Sequence, residues 1–280
     1  MVKKNEGYIN VPGGKIWYGI VGENKKIPLI VIHGGPGYPH DYLEPLEDLA
    51  DEREVIFYDQ LGCGKSDRSN DLSLWTVERF VLELKTIVET LGLKEYHLLG
   101  QSWGSALAVS FALEKPDGLK SIVLSDPYIS TPKWEEDMER LVKLLPEDMQ
   151  KAIQETAENS EEFKKASGEF YKRFVRNMNS EAFDRSRNGF NREIYKYMWG
   201  PTECRVEGTL RNFDPSSRLN EISIPVLLVC GRNDEATPEA VQYFKDLFPD
   251  ASVKIFEKSE HNPFWTEREE YMETVRNFLV

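Results

Sequence analysis

The chain has 280 residues, of which 40% are apolar and 11% aromatic, so it is long enough for one large domain with a sizeable core. Its formal net charge of −13 disfavours nucleic acid as a partner, because an acidic surface repels phosphate groups. No apolar stretch approaches the ~20 residues that span a bilayer, and the first residues turn polar before a signal-peptide core forms. We therefore expect a cytoplasmic protein without a membrane partner, and composition leaves its oligomeric state open.

The cysteine pattern points to reduced thiols. Cys63, Cys204 and Cys230 are too few and too scattered for a disulfide framework. The sequence contains no Cys-x-x-Cys or His-Glu-x-x-His motif that would hold zinc. Residues 61–66 resemble the end of a phosphate-binding loop, but Asp59 stands where the first glycine of that loop belongs. We predict no metal and no cofactor.

The predicted elements begin with a β-hairpin at residues 8–11 and 15–20, which are joined by Pro-Gly-Gly. Short β-branched runs then alternate with amphipathic stretches, a pattern typical of a mostly parallel, doubly wound α/β sheet covered on both faces. The predicted buried strands lie at residues 28–32, 54–58, 96–99, 121–124, 225–230 and 252–256.

Helical periodicity appears between the second and third of those strands and again in a long central segment. Apolar residues from Val77 to Leu91 recur at intervals of three and four, and Gly92 ends the predicted helix. From residue 127 to residue 222 the strand signal disappears and the pattern becomes charged and helical. We interpret 127–222 as a helical cap inserted into a core made of residues 1–126 and 223–280. Such caps cover the pocket above the strand ends and select substrates.

The most informative motif is Gly-Gln-Ser-Trp-Gly at residues 100–104, directly after the predicted strand 96–99. A Gly-x-Ser-x-Gly turn at the end of a strand holds one serine in a strained corner with its hydroxyl exposed. The small residues that follow suit a helix packed closely on a sheet. Ser102 is therefore the candidate nucleophile.

A serine hydroxyl needs a base, and the chain has only four histidines. His97 lies within a predicted strand, and His33 and His40 belong to a glycine-rich loop. His261 follows the last strand and precedes the C-terminal helix. Chain order favours His261, because doubly wound hydrolases place nucleophile, acid and base in that sequence.

The base in turn needs a carboxylate that orients the imidazole and stabilises its charged form. Asp234 follows the strand at residues 225–230, and Asp126 follows the strand at residues 121–124. Asp234 has the better position, and Asp126 is its rival. For the oxyanion we expect two backbone N–H donors, one from Trp103 after the nucleophile and one from Gly35 in the loop His-Gly-Gly-Pro-Gly.

With these motifs the sequence resembles the proline iminopeptidases, which are serine aminopeptidases of the α/β-hydrolase fold. The resemblance spans nearly the whole chain, although Leu61 replaces an arginine that many relatives carry. The matching blocks, in the order of the family, are residues 33–37, 59–66, 100–104 and 231–235, followed by His261.

The resemblance implies two glutamates that bind the free α-amino group of the substrate. Met-Trp-Gly-Pro-Thr-Glu at residues 198–203 matches the cap motif, so Glu203 takes one role and Glu235, beside the acid, takes the other. Two carboxylates near a substrate ammonium would fix its distance from Ser102 and leave room for only one residue. The implied function is release of an N-terminal residue, preferably proline, from short peptides through an acyl-enzyme.

Three alternatives remain open at the level of sequence. An amino-acid amidase or a broad aminopeptidase would use the same residues with a differently shaped pocket. An esterase or lactonase would not need the two glutamates. A non-enzymatic binding protein could retain the fold, but the intact set of Ser102, Asp234 and His261 argues against it.

Overall fold

The computed structural model describes residues 4–23, 25–175 and 178–279, and the side chains of these residues except Lys4. Residues 1–3, 24 and 280 of the predicted core and residues 176–177 of the predicted cap lie outside the described part. The described chain forms an eight-stranded sheet. Its strands are β1 Lys4–Val11, β2 Gly14–Val21, β3 Leu29–Ile32, β4 Val55–Tyr58, β5 Tyr96–Gln101, β6 Leu119–Ser125, β7 Val226–Gly231 and β8 Ala251–Phe256.

The order of strands across the sheet is β1-β2-β4-β3-β5-β6-β7-β8. The hairpin β1–β2 is antiparallel and joins β4 in antiparallel register, whereas all pairs from β4 to β8 are parallel. This confirms the predicted α/β class and the mostly parallel sheet. In such a sheet the carboxyl ends of the parallel strands lie along one edge, where open α/β proteins bind their ligands.

One strand differs from its predicted environment. The run at residues 252–256 was expected to be buried, but β8 is partly exposed along most of its length. The reason is its place at the end of the sheet, where it pairs only with β7. An edge strand has one neighbour and less cover, and the charged Lys254 in its middle suits that position.

The helices pack on both faces of the sheet. On one face, Phe80, Leu84 and Leu107 join the core, and on the other face Leu46 and Tyr271 do so. The α-helices are α1 Val77–Thr90, α2 Trp103–Leu113, α3 Thr131–Val142, α4 Glu147–Glu155, α5 Glu161–Phe170, α6 Glu181–Gly189, α7 Arg192–Met198, α8 Pro238–Lys245, α9 Pro263–Thr266 and α10 Arg268–Phe278. None of the described helices is long and apolar enough to cross a membrane.

Helix α1 shows how closely local sequence signals set the element boundaries. Thr76 caps its N-terminus by accepting a hydrogen bond from the N–H of Arg79. Gly92, just beyond its end, has a φ of +65°, a conformation that glycine adopts without strain. The predicted helix from Val77 to Leu91 is therefore confirmed to within one residue.

Helices α3 to α7 lie in the segment between β6 and β7, which also contains a π-helical turn at Tyr171–Val175 and two 3₁₀ turns at Thr209–Asn212 and Ser216–Glu221. We call residues 127–222 the inserted segment. Within its described residues no strand of the sheet occurs. The chain thus leaves the sheet after β6 and returns to the neighbouring position at β7.

Candidate active site

Ser102 occupies the sharp turn between β5 and α2. Its φ of 53° and ψ of −120° lie outside the regions that side-chain-bearing residues normally adopt. The flanking glycines are required by space: a Cβ at Gly100 would lie 2.3 Å from the carbonyl oxygen of Gly104, and a Cβ at Gly104 would lie 2.2 Å from that of Ile32. The turn therefore has the geometry of a nucleophile elbow.

Two backbone hydrogen bonds hold the elbow against β6 and the chain after it. The N–H of Ser102 donates to the carbonyl of Ser125 at 2.9 Å, and the N–H of Tyr128 donates to the carbonyl of Ser102 at 3.3 Å. The strained turn is thus fixed from both sides. Ser102 itself remains partly exposed, as an attacking residue must be.

The glycine-rich loop after β3 packs directly against the elbow. A Cβ built on Gly34 would come within 3.2 Å of the Cβ of Ser102. Gly35 has a φ of +119°, and a Cβ there would lie 2.6 Å from the nitrogen of Gly37. Trp103 is the first residue of α2, and the N–H groups of a first helical turn have no partner within the helix. The two N–H groups expected to bind an oxyanion therefore belong to adjoining turns.

Tyr42 ties this loop to the elbow. Its hydroxyl accepts a hydrogen bond from the N–H of Gly34 at 2.8 Å and donates to Oε1 of Gln101 at 2.5 Å. The amide group of Gln101 in turn donates to the carbonyl of His261 at 3.3 Å. This chain of contacts joins three loops that come from distant parts of the sequence.

The structure brings His261 and Asp234 together. Nδ1 of His261 lies 2.7 Å from Oδ1 of Asp234, and both side chains are buried. The N–H of Ala236 donates to the same Asp234 oxygen at 2.9 Å, which fixes the carboxylate. With Nδ1 bound to the carboxylate, Nε2 is the nitrogen left to accept a proton.

The other three histidines have different partners. His97 lies in β5, and its Nδ1 is 2.8 Å from the hydroxyl of Ser121. Nε2 of His33 accepts a hydrogen bond from the N–H of Gln60 at 2.9 Å, and His40 pairs with Asp59. Burial lowers the pKa of His33 and of His97, each to about 4. Of the four, His261 is the one that pairs with Asp234, and its backbone carbonyl accepts a hydrogen bond from Gln101, the residue before Ser102.

Glu203 and Glu235 meet beside the imidazole. Oε1 of Glu235 lies 3.7 Å from Nε2 of His261. Burial raises the pKa of Glu235 well above its ordinary value, and the charges of Glu203 and Asp234 raise it further. Burial also raises the pKa of Glu203. Oε2 of Glu235 is buried and has no hydrogen-bond partner among the described residues, and no described lysine or arginine pairs with either glutamate.

Sequence reasoning missed the groups that orient Glu203. Tyr195 donates a hydrogen bond to Oε1 of Glu203 at 2.6 Å, and Tyr171 donates to the same oxygen at 3.3 Å. The indole of Trp134 donates to the backbone carbonyl of Glu203 at 3.0 Å. All three aromatic residues lie in the inserted segment, where no motif marks them. From the sequence alone, an aromatic residue in a helical pattern is interpreted as part of the hydrophobic core.

The comparisons with known proteins agree with this geometry. The family model of the α/β hydrolase fold matches residues 27–268, so the enzyme is a serine hydrolase of that fold. A proline iminopeptidase of Heyndrickxia coagulans is 46% identical over 282 residues, which cover 98% of each chain. With such a relative along nearly its whole length, the chain belongs to the proline iminopeptidase family.

Two further comparisons support the same assignment. A proline iminopeptidase of Clostridium botulinum is 38% identical over 290 residues and covers 99% of each chain. The crystal structure of proline iminopeptidase from Mycobacterium smegmatis superposes with a TM-score of 0.90 at 34% identity, covering 98% of this chain and 97% of that one. The likeness therefore includes the inserted segment as well as the sheet.

Proposed function

We propose that this protein is a serine aminopeptidase that releases an N-terminal residue, preferably proline, from short peptides. The observation that carries this proposal is the pair of acids, Glu203 and Glu235, beside the histidine of the site, with one buried carboxylate oxygen that has no partner among the described residues. A buried acidic pair that no described lysine or arginine neutralises is costly unless a cation binds there. The free α-ammonium of a peptide is such a cation.

The reaction would proceed through an acyl-enzyme. Nε2 of His261 takes the proton of Ser102 as Oγ attacks the carbonyl carbon of the first residue. Asp234 stabilises the imidazolium, and the N–H groups of Gly35 and Trp103 bind the oxyanion. The imidazolium then gives its proton to the leaving amine as the C–N bond breaks. Water, deprotonated by the same imidazole, hydrolyses the ester and restores Ser102.

The position of the acids explains the choice of the chain end. Glu235 follows Asp234 directly in sequence, and its Oε1 lies 3.7 Å from Nε2 of His261, so the ammonium site is beside the base that activates Ser102. A longer acyl group would have to place its charged end elsewhere. The protein is therefore an exopeptidase in this proposal, and an internal peptide bond is not a substrate.

We further propose that the inserted segment, residues 127–222, is a cap over a core of residues 1–126 and 223–280, and that the protein works in the cytoplasm. Glu203 comes from this segment, whereas Glu235 comes from the loop after β7. A substrate that binds both glutamates must lie between the two parts. The free cysteines Cys63, Cys204 and Cys230 suit a reducing compartment.

A panel of chromogenic anilides tests the proposal. Prolyl, alanyl and leucyl p-nitroanilides are compared with N-acetylprolyl p-nitroanilide, which keeps the ring and the scissile bond but has no ammonium group. We expect the highest kcat/KM on the prolyl compound and a loss of at least about 100-fold on the acetylated one. Equal rates on the first three would favour a broad aminopeptidase. Equal rates with and without the ammonium would contradict the proposal and favour an esterase-like enzyme.

A further inference from the structure

Asp126, at the end of β6, lies against the acid of the site. One carboxylate oxygen from each of Asp126 and Asp234 and one ring nitrogen of His261 lie within 4.8 Å of one another. The side chain of Asp126 is fully buried, and its N–H donates to the carbonyl of Val229 at 2.7 Å. Its φ of +49° is uncommon for a residue other than glycine, asparagine or aspartate. The main chain thus turns this carboxyl group towards the site.

Two oxygen atoms at this contact have no hydrogen-bond partner. Oδ1 of Asp126 and Oδ2 of Asp234 are both buried and unpaired among the described residues. Two ionised carboxylates so close to each other in a buried site would repel strongly. One proton on Asp126 would remove the repulsion and would also give Asp234 a hydrogen bond.

Oδ2 of Asp126 already accepts a hydrogen bond, so Oδ1 is the oxygen left to interact with Asp234. The hydroxyl of Ser125 donates to Oδ2 of Asp126 at 2.7 Å, and the hydroxyl of Tyr271 donates to Ser125 at 2.9 Å. With a proton on Asp126, the direction of donation continues from Tyr271 in helix α10 to Asp234. Each donor in this series then has one acceptor.

We propose that Asp126 is a positioning residue, which in its protonated form donates a hydrogen bond to Oδ2 of Asp234 and so holds Oδ1 of Asp234 on His261. This inference rests on the proposed function, because it assigns Asp234 and His261 their roles in the reaction. In this role Asp126 acts through Asp234 and not directly on the substrate or on Ser102. It is a partner of Asp234 rather than its rival.

The surrounding groups favour the protonated form. Burial raises the pKa of Asp126 well above its ordinary value and the charge of Asp234 raises it further, which outweighs the lowering by the hydrogen bonds from Ser125 and from the backbone of Gly231. The neighbouring titratable groups besides Asp234 and His261 are Tyr42, Cys230 and Tyr271, and burial raises the pKa of each. These three are therefore neutral near pH 7. The pair of Asp126 and Asp234 then carries a single negative charge, which balances the positive charge of the imidazolium.

Two substitutions separate this role from a purely structural one. Asp126→Asn replaces the acid by an amide that donates to Asp234 and accepts from Ser125 but cannot ionise, and asparagine tolerates positive φ. Asp126→Gly removes the donor and also tolerates positive φ. We expect Asp126→Asn to keep kcat within about threefold of wild type, and Asp126→Gly to lower kcat about 30-fold with KM within about twofold.

The measurement is kcat and KM on prolyl p-nitroanilide from pH 5 to pH 9, together with the rate at which a fluorophosphonate labels Ser102. Asp126→Asn should leave the acidic limb of kcat/KM where it is in wild type. A shift of that limb to lower pH would show that an ionised Asp126 had been supporting the imidazolium, and would overturn the inference. Wild-type kcat in Asp126→Gly, or equal losses in both variants, would overturn it as well.

The labelling rate keeps this inference apart from the proposed function. A wild-type enzyme that is labelled at Ser102 but does not cleave prolyl anilide contradicts the proposed function. The labelling rates of the two variants then replace kcat as the test of Asp126: slower labelling of Asp126→Gly than of Asp126→Asn supports its role, and equal rates overturn it. A wild-type enzyme that is not labelled contradicts both. If Asp126→Gly does not fold, as judged by thermal denaturation, the pH profile of Asp126→Asn alone decides.

Discussion

Oε1 of Glu235 lies 3.7 Å from Nε2 of His261, the nitrogen that takes the proton of Ser102 in the proposed mechanism. The proposed ammonium site and the proposed general base are therefore direct neighbours. A substrate ammonium bound by Glu235 would neutralise this carboxylate and leave Nε2 to face Ser102. In the proposed mechanism, binding of the correct chain end and activation of the nucleophile are linked through this one glutamate.

The first prediction concerns the two acids. Glu235→Gln and Glu203→Gln keep the shape of each side chain but remove its charge, so we expect kcat/KM on prolyl p-nitroanilide to fall about 100-fold, which corresponds to about 3 kcal/mol. On p-nitrophenyl acetate, which has no ammonium group, the same variants should stay within about threefold of wild type. Similar losses on both substrates would mean that the glutamates support the fold rather than the ammonium.

The second prediction concerns the orientation of Glu203. Tyr195→Phe removes a hydrogen bond of 2.6 Å to this carboxylate. A hydrogen bond to a charged group contributes about 1.5–3 kcal/mol, so KM for the prolyl substrate should rise at least about tenfold while the fold persists. Tyr243→Phe is the matched control, because Tyr243 lies exposed on α8. An unchanged KM in Tyr195→Phe would remove this hydrogen bond from the account of substrate binding.

The third prediction is a pH dependence with a defined sign. The pKa of Glu235 is raised in the free enzyme, and a bound ammonium would lower it again. As pH falls through the raised value, the free enzyme takes up a proton that must leave before substrate binds, so KM should rise towards acidic pH. Titration with prolinol, which has the amine but no scissile bond, should release protons, as measured by calorimetry in buffers of different ionisation enthalpy. Proton uptake on binding would contradict the assignment.

The fourth prediction tests why the elbow needs glycine. Gly104→Ala places a Cβ 2.2 Å from the carbonyl oxygen of Ile32, a backbone atom that cannot move away easily. We expect the free energy of unfolding to fall by about 2–3 kcal/mol or more. Gly168→Ala is the control, since a Cβ there has no neighbour within 4 Å and the site lies in α5. This change should stabilise the protein by about 0.5–1 kcal/mol. Equal melting temperatures for both variants would contradict the packing argument.

The sheet could be predicted from the sequence because its strands are short, apolar and β-branched. The run at residues 226–230 is buried throughout, as expected. The partial exposure of β8 could not be predicted in the same way, since its sequence does not record that it has a neighbour on one side only. Strand order is a property of the whole sheet.

The site likewise contains some residues that could be predicted from the sequence and others that could not. Ser102, Asp234 and His261 could be proposed from motif and chain order, because each lies at or shortly after the end of a strand and these ends lie at the same edge. Tyr171 and Tyr195 reach Glu203 only through the packing of the inserted segment, and helical periodicity carries no sign of that contact. Asp126 had a signal, namely a carboxylate at a strand end. Its contact with Asp234 was not predicted, because the two acids were weighed as rivals for one position.

The most direct test of the account is the activity of Ser102→Ala on prolyl p-nitroanilide, with Ser110→Ala in the helix that follows, α2, as the control. Ser102→Ala should fold as wild type does, lose at least about 1,000-fold in kcat, and resist labelling by a fluorophosphonate, whereas Ser110→Ala should behave as wild type in all three respects. Retention of wild-type turnover by Ser102→Ala would contradict the central claim.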